Sequence, residues 1–429
     1  MQTQQAPVAA AAAADQGRVY TATIVGIAVF LRAAVVCLVA TRFPHDWLFR
    51  RGIELGLVAD SLQSGHGFSS PYGGSTGPTA LLAPGYPALI AVIFHLFGSF
   101  ALASAVTVMA LQVIFAALTV WIMMRLACKV FGTRTADIAG TVWAVSVPLL
   151  WMPTIFWESC LSTLLLVGFI ALTVRCAATP SLRLWLGLGA LCGVGGLINP
   201  ALLMVFFAVM AWAAYQSRAV ARVRYASVLG IVTALMVLAP WLIRNEAKLH
   251  AFIPVRSCFG FELWNGNQPW GGGLLQEGLH PNFNQSEFQL YSTIGEVGYM
   301  RQKQMLAEEF ISSHPGQFMR LCVRRVFLFW TGAGQRAGAG ISWISIFYAT
   351  FTTLFGGAGL ALLLRRQKAL GLLYALPLLI FPLPYYITHA DFRYRLVLDP
   401  LLTILAAYAI SRAYSALTGN SQSLDEASV

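Results

Sequence analysis

Charge is scarce in this chain. Of its 429 residues, 10% are charged and 58% are hydrophobic, and the mean hydropathy is +0.68. So few polar side chains cannot cover the surface of a soluble globule of this size. The composition excludes a soluble protein and predicts an all-α polytopic membrane protein, in which apolar runs cross the bilayer as helices.

Motifs for metals, redox chemistry and nucleotides are also missing. The seven cysteines form no CxxC pair, lie mostly in apolar stretches and have no histidine at metal-ligand spacing, which indicates packing residues. A disulfide between Cys258 and Cys322 stays open as an alternative. No GK[ST] accompanies the glycine-rich stretch, which excludes a P-loop. We predict no metal site and no obligatory cofactor, with a divalent cation on loop acids as the alternative.

The N-terminus lacks the basic start of a secretory signal peptide. Residues 1–19 are Ala-rich and polar, and the hydrophobic run that follows is longer than a signal-peptide core. We expect a disordered tail over 1–19 that leads into a retained helix, and a second disordered tail over 416–429.

Positive charge is present but confined to short stretches. The formal net charge is +11, and basic residues cluster in short loops at 125–134, 218–224 and 365–368. Such loops are typical of the cytoplasmic side of a membrane protein. The charge therefore predicts the orientation of the chain, and we expect no nucleic-acid partner.

Ten apolar runs are long enough to cross a hydrocarbon core about 30 Å thick. They are 20–41, 101–124, 136–153, 158–176, 183–199, 200–216, 224–243, 340–363, 368–388 and 396–413. A further run, 84–97, is short and contains two early prolines. A crossing there would place the basic loops outside, so we predict that it lies along the interface as a juxtamembrane helix.

This topology divides the chain into a transmembrane core at 20–243 and C-terminal transmembrane helices at 340–415. Residues 42–100 and 244–339 are then both outside, and we name them the first and second polar segments. The second segment is predicted to fold, with helices at 284–313 and 315–330. Two polar segments on one side of the membrane suit chemistry at that surface.

The first polar segment carries three acids. Glu54 stands out because it lies in the apolar helical stretch IELGLVA, where a charge costs free energy unless it has a partner or a function. Asp60, six residues on, lies on another face of such a helix, and Asp46 precedes both. Glycines and hydroxyl side chains follow, together with His66 and the turn that contains Tyr86. Solvated loop charges and a plain glycine-rich loop are the alternatives.

Further polar residues occur at the predicted outer ends of the spans. Glu158 begins a span and is either functional or a helix-terminal charge. Arginines on the outer side run against the positive-inside bias and suit a phosphate, with lipid head-group anchoring as the alternative. These arginines are Arg244, Arg324, Arg325, Arg393 and Arg395. Asn267 and His389 accompany them as candidate substrate-binding residues.

Several strings, in this order, carry a family resemblance. They are IELGLVADSLQSGHGFSSPYGGSTGPTALLAPGYPALIAVIFHLFG, APWLIRN, FELWNGN, HPGQF and THADFRYR. With the order of the spans, they resemble the GT-C fold of membrane glycosyltransferases, and more narrowly a bacterial group related to glycosyltransferase family 39, over about residues 20–415. Many relatives have an Asp-Glu doublet just after the first helix. This chain has Glu54 further along instead.

The resemblance implies a sugar donor carried on a polyprenyl phosphate, an unidentified acceptor, and a bacterial plasma membrane with the active site on its outer face. We hypothesise inverting transfer with Glu54 as general base, and Asp60 or Asp46 as its substitute. Arg244, Arg324, Arg325, Arg393 and Arg395 would bind the donor phosphate, and His66, Tyr86, Glu158, Asn267 and His389 the substrates. The alternatives are a lipid or sugar-lipid transporter and a non-catalytic cell-envelope scaffold.

Overall fold

The computed structural model describes residues 5–50, 52–219, 221–334 and 339–418. In these ranges the chain is helical, apart from turns, two short 3₁₀ helices and two isolated β-bridges. The first eleven α-helices are α1 (Gln5–Arg42), α2 (His45–Arg50), α3 (Ile53–Gln63), α4 (Gly85–Phe97), α5 (Leu102–Phe131), α6 (Thr133–Val145), α7 (Val147–Trp151), α8 (Ser159–Ala178), α9 (Leu182–Ile198), α10 (Pro200–Gln216) and α11 (Ala221–Leu249). The others are α12 (Phe259–Gly266), α13 (Gln285–Ser313), α14 (Pro315–Thr331), α15 (Ala339–Arg366), α16 (Lys368–Ile380), α17 (Leu383–Ile387), α18 (Phe392–Leu396) and α19 (Asp399–Leu417).

The predicted all-α fold is confirmed, but the count of ten spans is not. In the described ranges, seven helices are long and apolar enough to cross a membrane, or eight if the bent pair α6 and α7 forms one span. The predicted runs 183–199 and 200–216 correspond to α9 and α10. Each has 17 residues, or about 26 Å of helix, less than a core about 30 Å thick.

The ends of the chain differ from the predicted boundaries. Helix α1 begins at Gln5, so residues 5–19, expected to be a disordered tail, form its first turns. The part of α1 that is apolar enough to cross is Val19–Arg42, which agrees with the predicted run. Helix α19 ends at Leu417, and residues 419–429 lie outside the described residues.

A buried arginine holds the bend between α6 and α7, where the helix axis turns by 58°. Arg32 of α1 donates to the carbonyls of Trp143 and Ala144 at 3.1 and 3.2 Å, and its guanidinium lies 4.5 Å from the centroid of the Trp143 ring. Carbonyls freed at a helix end inside a membrane need such a donor. Gln112 donates to Pro153 and Ile155 beyond the bend, which fixes the chain just before α8.

Close helix contacts hold the rest of the bundle. Gly189 of α9 packs on Gly230 of α11 so closely that an added Cβ would lie 2.0 Å from the Gly230 carbonyl oxygen. Small residues allow this approach where helices pack inside a membrane. All seven cysteines, including Cys258 and Cys322, are free, so the disulfide left open above is not formed.

A buried carboxylate joins the two polar segments. Glu296 of α13 is 4% exposed. It accepts hydrogen bonds from the Thr79 hydroxyl, from the Ala80 backbone N–H at 2.7 Å and from the Tyr291 hydroxyl at 2.8 Å. Because Thr79 and Ala80 belong to the first segment and Glu296 to the second, the two segments meet on one side of the helical bundle.

Candidate active site

Helix α3 places Glu54 at the seam between the two polar segments. Gly52, at φ +116°, precedes the helix and packs so tightly on Phe156 that an added Cβ would lie 2.6 Å from its carbonyl oxygen. Only glycine adopts this conformation readily. Glu54 follows in the first turn of α3 and is 9% exposed. The turn thus brings Glu54 to the chain that leads into α8.

His280 of the second polar segment contacts Glu54 directly, with 3.1 Å between Nε2 and Oε1. Burial raises the pKa of the Glu54 carboxyl, but the hydrogen bond from His280 is the first of the effects that lower it, a backbone hydrogen bond and the charge of Arg393 add to it, and the net shift is downward. The pKa of Glu54 therefore lies below its usual value. Glu54 is thus a buried carboxylate that is ionised at neutral pH.

Tyr72 adds a buried hydroxyl beside this pair. Its ring meets the rings of His280 and Tyr291 edge to face, with centroids 5.4 and 4.8 Å apart. The hydroxyl is buried and has no hydrogen-bond partner within the described ranges. Burial, and then the charges of Tyr291 and Glu54, raise the pKa of Tyr72 well above its usual value. The Tyr72 hydroxyl therefore stays protonated, in surroundings that the charge of Glu54 reaches.

Arg393 supplies a positive charge that acts on Glu54. Its guanidinium lies 4.1 Å from the Trp157 ring centroid, donates to the Tyr394 hydroxyl at 3.2 Å, and has Nε 3.5 Å from Asp391 Oδ2. Burial lowers the pKa of Arg393, whereas Tyr394, Asp391 and Glu158 raise it by a larger amount, so the net shift is upward. The guanidinium is therefore held charged beside the start of α8.

A second arginine, Arg256, shares these surroundings. It donates from Nε to the Leu81 carbonyl at 2.8 Å. Burial lowers its pKa, and electrostatic interactions with Cys258, Glu262, Glu158 and Tyr394 raise it by more. Arg256 and Arg393 thus act on Glu158 and Tyr394 together, although 137 positions separate them in the sequence.

Glu262 and His389 complete this polar cluster. Nδ1 of His389 lies 3.2 Å from Oε2 of Glu262, and Nε2 lies 3.1 Å from the Tyr394 hydroxyl. Burial lowers the pKa of His389, and the raising effect of Glu262 and Asp391 does not compensate. The imidazole is therefore neutral at pH 7. We name Glu158, Arg256, Glu262, His389, Arg393 and Tyr394 the arginine cluster, after its two arginines.

Three of the predicted phosphate-binding arginines are committed to other partners. Arg325, 0% exposed, donates to the carbonyls of Gly266, Tyr386 and Ile387 and to Asn267 Oδ1. Arg395 pairs with Asp399 and donates to Ala349 and Thr352. Arg244 donates to the carbonyls of Phe68 and Thr79. Arg244 and Arg325 hold backbone carbonyls of other parts of the chain, and Arg395 joins α18 to α15 and α19.

The other sequence-predicted residues are dispersed. Arg324 is exposed and lines an open groove along α14 with Met319, Arg320, Val323 and Phe327. Asp60 accepts from Gln63 Nε2 at 3.2 Å at the far end of α3, and His66 is exposed. The side chain of Asp46 lies outside the described residues.

Two further predicted residues are buried. Tyr86 is 1% exposed, and its hydroxyl has no partner in the described part of the chain. Asn267 donates to the carbonyls of Leu263 and Ile387 and accepts from Arg325, so it supports a loop. Of the thirteen predicted site residues, the structure brings Glu54, Glu158, His389 and Arg393 to one region.

Sequence reasoning missed the partners of these four residues. They are Tyr72, Trp157, Arg256, Glu262, His280 and Tyr394. Arg256 and Glu262 could have been noticed as charges in a segment predicted to fold. Nothing local marks His280, because its partner Glu54 is 226 positions away.

The described residues contain no group of three His, Cys, Asp or Glu side chains that could hold a metal ion. The Glu54–His280 and Glu262–His389 pairs each offer two ligands, fewer than the three protein ligands of a catalytic zinc site. Independence from a metal stays a prediction.

Comparison with known proteins identifies the fold. Residues 82–243, fewer than half of the chain, match the sequence model of the dolichyl-phosphate-mannose-protein mannosyltransferase family. The oligosaccharyltransferase of Archaeoglobus fulgidus in its apo form superimposes with a TM-score of 0.54 and 12% identity, over 93% of this chain and 52% of its own. The chain has the GT-C fold. The GT-C resemblance predicted from the sequence strings, and the GT-C-like fold class, are therefore confirmed.

Other comparisons set the extent of the likeness. AglB, the A. fulgidus oligosaccharyltransferase, in complex with an inhibitory peptide and a dolichol-phosphate gives a TM-score of 0.53 at 13% identity, over 95% of this chain and 53% of AglB. ArnT from Cupriavidus metallidurans bound to undecaprenyl phosphate gives 0.40 at 15% identity, over 91% of this chain and 79% of ArnT, which is too low to bear on the fold. No relative was found among curated protein sequences. This GT-C chain spans about half the length of the oligosaccharyltransferase that it matches.

Proposed function

We propose that this GT-C protein is a membrane glycosyltransferase that moves a sugar from a polyprenyl-phosphate donor to an acceptor hydroxyl, with inversion. Glu54 is the general base, and Arg256 and Arg393 bind the donor phosphate. The observation that carries the proposal is a buried Glu54 carboxylate, 3.1 Å from His280 where the two polar segments meet, in the same region as Arg393, whose charge helps to lower the pKa of Glu54. The Glu54 carboxylate can take the proton of the acceptor hydroxyl, and the Arg393 guanidinium can bind the departing phosphate.

In the proposed step, the acceptor oxygen forms a bond to the anomeric carbon as the bond from that carbon to the phosphate oxygen breaks. The electron pair of the broken bond leaves with the polyprenyl phosphate, and Glu54 takes the acceptor proton. A carboxylate of low pKa is a weak base, but it suits a transition state with oxocarbenium character, in which the sugar carbon is strongly electrophilic. Burial keeps water from competing with the acceptor.

The leaving phosphate gains charge as the bond breaks, and fixed cations stabilise that charge. Arg393 and Arg256 fit this role because the Nε of Arg256 alone is bound to a backbone carbonyl, the Nε of Arg393 has no hydrogen-bond partner in the described residues, and surrounding groups raise the pKa of both arginines. Glu158 then balances the two cations while no phosphate is bound. Arg244, Arg325 and Arg395 are less suited, since their donors already hold backbone carbonyls or a carboxylate.

The identity of the donor lipid rests on the fold. AglB of the same fold has been solved with a dolichol-phosphate, and we extend that class of lipid to this chain. The outer face of a bacterial plasma membrane as the place of reaction comes from the orientation predicted by the basic loops. The acceptor is left open.

The experiment that tests this function measures transfer of radiolabelled sugar from a panel of polyprenyl-phosphate sugars by purified protein in nanodiscs. Glu54→Gln keeps the size of the side chain and removes its basicity, so we expect turnover to fall by about 10²-fold or more, as for loss of a general base. Glu308→Gln, at an exposed position of α13, is the matched control and should turn over like the wild type.

Other outcomes assign the function differently. Transfer that survives in Glu54→Gln and is lost in Asp60→Asn would move the base to Asp60. Wild-type protein that is folded and releases no polyprenyl phosphate from any donor would refute the proposal. It would favour a transporter or a cell-envelope scaffold.

A further inference from the structure

A backbone hydrogen bond and three aromatic rings surround the His280 imidazole. The Asn282 backbone N–H donates to its Nδ1 at 3.3 Å. The rings of Tyr72 and Phe261 meet the imidazole at 86° and 84°, with centroids 5.4 and 5.5 Å away, and Phe283 lies at 6.0 Å. The side chain is 13% exposed. These contacts favour the orientation in which Nδ1 accepts the backbone N–H.

The bond to Nδ1 fixes where the proton resides. A nitrogen that accepts a backbone N–H has no proton of its own, so the neutral imidazole carries its proton on Nε2. Nε2 is the atom that lies 3.1 Å from Oε1 of Glu54. His280 is therefore a preset donor to one oxygen of Glu54.

We propose that His280 is a positioning residue for sugar transfer: it anchors Oε1 of Glu54 through a fixed Nε2–H, so that Oε2 is directed to the acceptor hydroxyl. This inference rests on the proposed function, in which Glu54 is the base. The base, Glu54, belongs to the first polar segment, and the residue that orients it, His280, belongs to the second.

The arrangement couples assembly of the site to docking of the two segments. Glu296 fastens the segments together through Thr79 and Ala80, and His280 makes a second link at Glu54. The base is thus oriented only while the second segment is docked. Because the link acts on the orientation of the base and not on the sugar or its lipid, its loss should lower kcat more than it changes KM.

The kinetic test compares His280→Phe and His280→Gln in the transfer assay described above. Phenylalanine keeps the aromatic volume without the donor, and we expect kcat to fall by about 10²-fold, the order that misplacement of a reacting group costs, with KM within about threefold. Glutamine retains an N–H donor and should recover at least about tenfold of that loss. The matched controls are His314→Phe and His314→Gln at an exposed histidine of the same segment, and they should match the wild type.

A second measurement detects the contact between His280 and Glu54 independently of catalysis. In nitrogen-15 NMR of histidine-labelled protein in nanodiscs, the signal that disappears in His280→Gln should have a bare Nδ1 and a protonated Nε2, and the same signal should shift in Glu54→Gln. A protonated Nδ1 at His280 would overturn the inference.

The kinetic outcomes separate two failures. If the wild type transfers sugar and His280→Phe is equally active, the positioning role is overturned and the proposed function stands. The same conclusion follows if His280→Phe is inactive and unfolded and His280→Gln recovers no activity. Wild-type protein that transfers no sugar would refute the proposed function, and the positioning role with it.

Discussion

Glu54 has to be ionised to accept a proton, and its neighbours set the pH at which that happens. The charged and titratable groups that act on it are His280, Arg393 and Tyr72. Burial alone raises the pKa of Glu54, whereas His280 and Arg393 lower it by more. A lowered carboxyl pKa means that the ionised form persists as the pH falls, until the pH passes the pKa in the folded protein.

This sign gives a prediction for the pH profile. We expect kcat/KM of the wild type to decline only at pH values below the usual pKa range of a glutamate. His280→Phe removes the main lowering influence, so its decline should begin at higher pH, while His314→Phe keeps the wild-type profile. Kinetics over a range of pH in nanodiscs measure this. Superimposable profiles for His280→Phe and the wild type would contradict a Glu54 base tuned by His280.

Single residues also show how far the sequence predicts the site. Glu54 was singled out because a charge in an apolar helical stretch needs a partner, and its partner is His280. Arg325 stands out for another reason, because arginines on the outer side run against the positive-inside bias, and its partners are carbonyls some 60 positions away. Burial and charge signal that a partner exists. They do not reveal whether it is a ligand or the protein backbone, because that choice depends on tertiary contacts.

At the scale of elements, length and composition predicted two helices of the second polar segment closely, although the count of ten spans was too high. The helices predicted at 284–313 and 315–330 are α13 and α14, because Asn284 caps one and Pro315 begins the other. The break inside α13 at Gly295, with φ +71°, was not predicted, since an isolated glycine in a helical pattern usually continues the helix. That break precedes Glu296, which joins the two polar segments.

The joint at Glu296 can be tested by itself. Glu296→Gln keeps the shape but removes a charged acceptor of three hydrogen bonds, which should cost about 1.5–3 kcal/mol. We expect backbone amides of α13 to exchange about tenfold faster or more, as measured by hydrogen–deuterium exchange mass spectrometry. Glu308→Gln, on the exposed side of α13, should leave exchange unchanged. Equal exchange in both variants would mean that the segments are held by other contacts.

For the molecule as a whole, the candidate site and the basic loops lie at different ends of the helices. Glu54 and the arginine cluster lie at the end formed by the polar segments. The basic loops meet elsewhere: Arg134 stacks on Tyr414 near the end of α19, and Trp212 near the end of α10 donates to Ala369 at the start of α16. This separation agrees with the orientation predicted from charge, which puts the basic end in the cytoplasm.

The orientation itself is the last prediction. In a chain whose exposed or partly exposed cysteines Cys37, Cys128 and Cys322 are replaced by serine, a membrane-impermeant maleimide on intact spheroplasts should label His66→Cys in the first polar segment. Lys368→Cys, equally exposed at the basic end, should react only after lysis. The reverse pattern would place Glu54 in the cytoplasm, where the donor would have to be presented on the inner leaflet. Labelling at both positions in intact spheroplasts would show that the reagent had leaked into the cells. A cytoplasmic marker protein that stays unlabelled excludes such leakage.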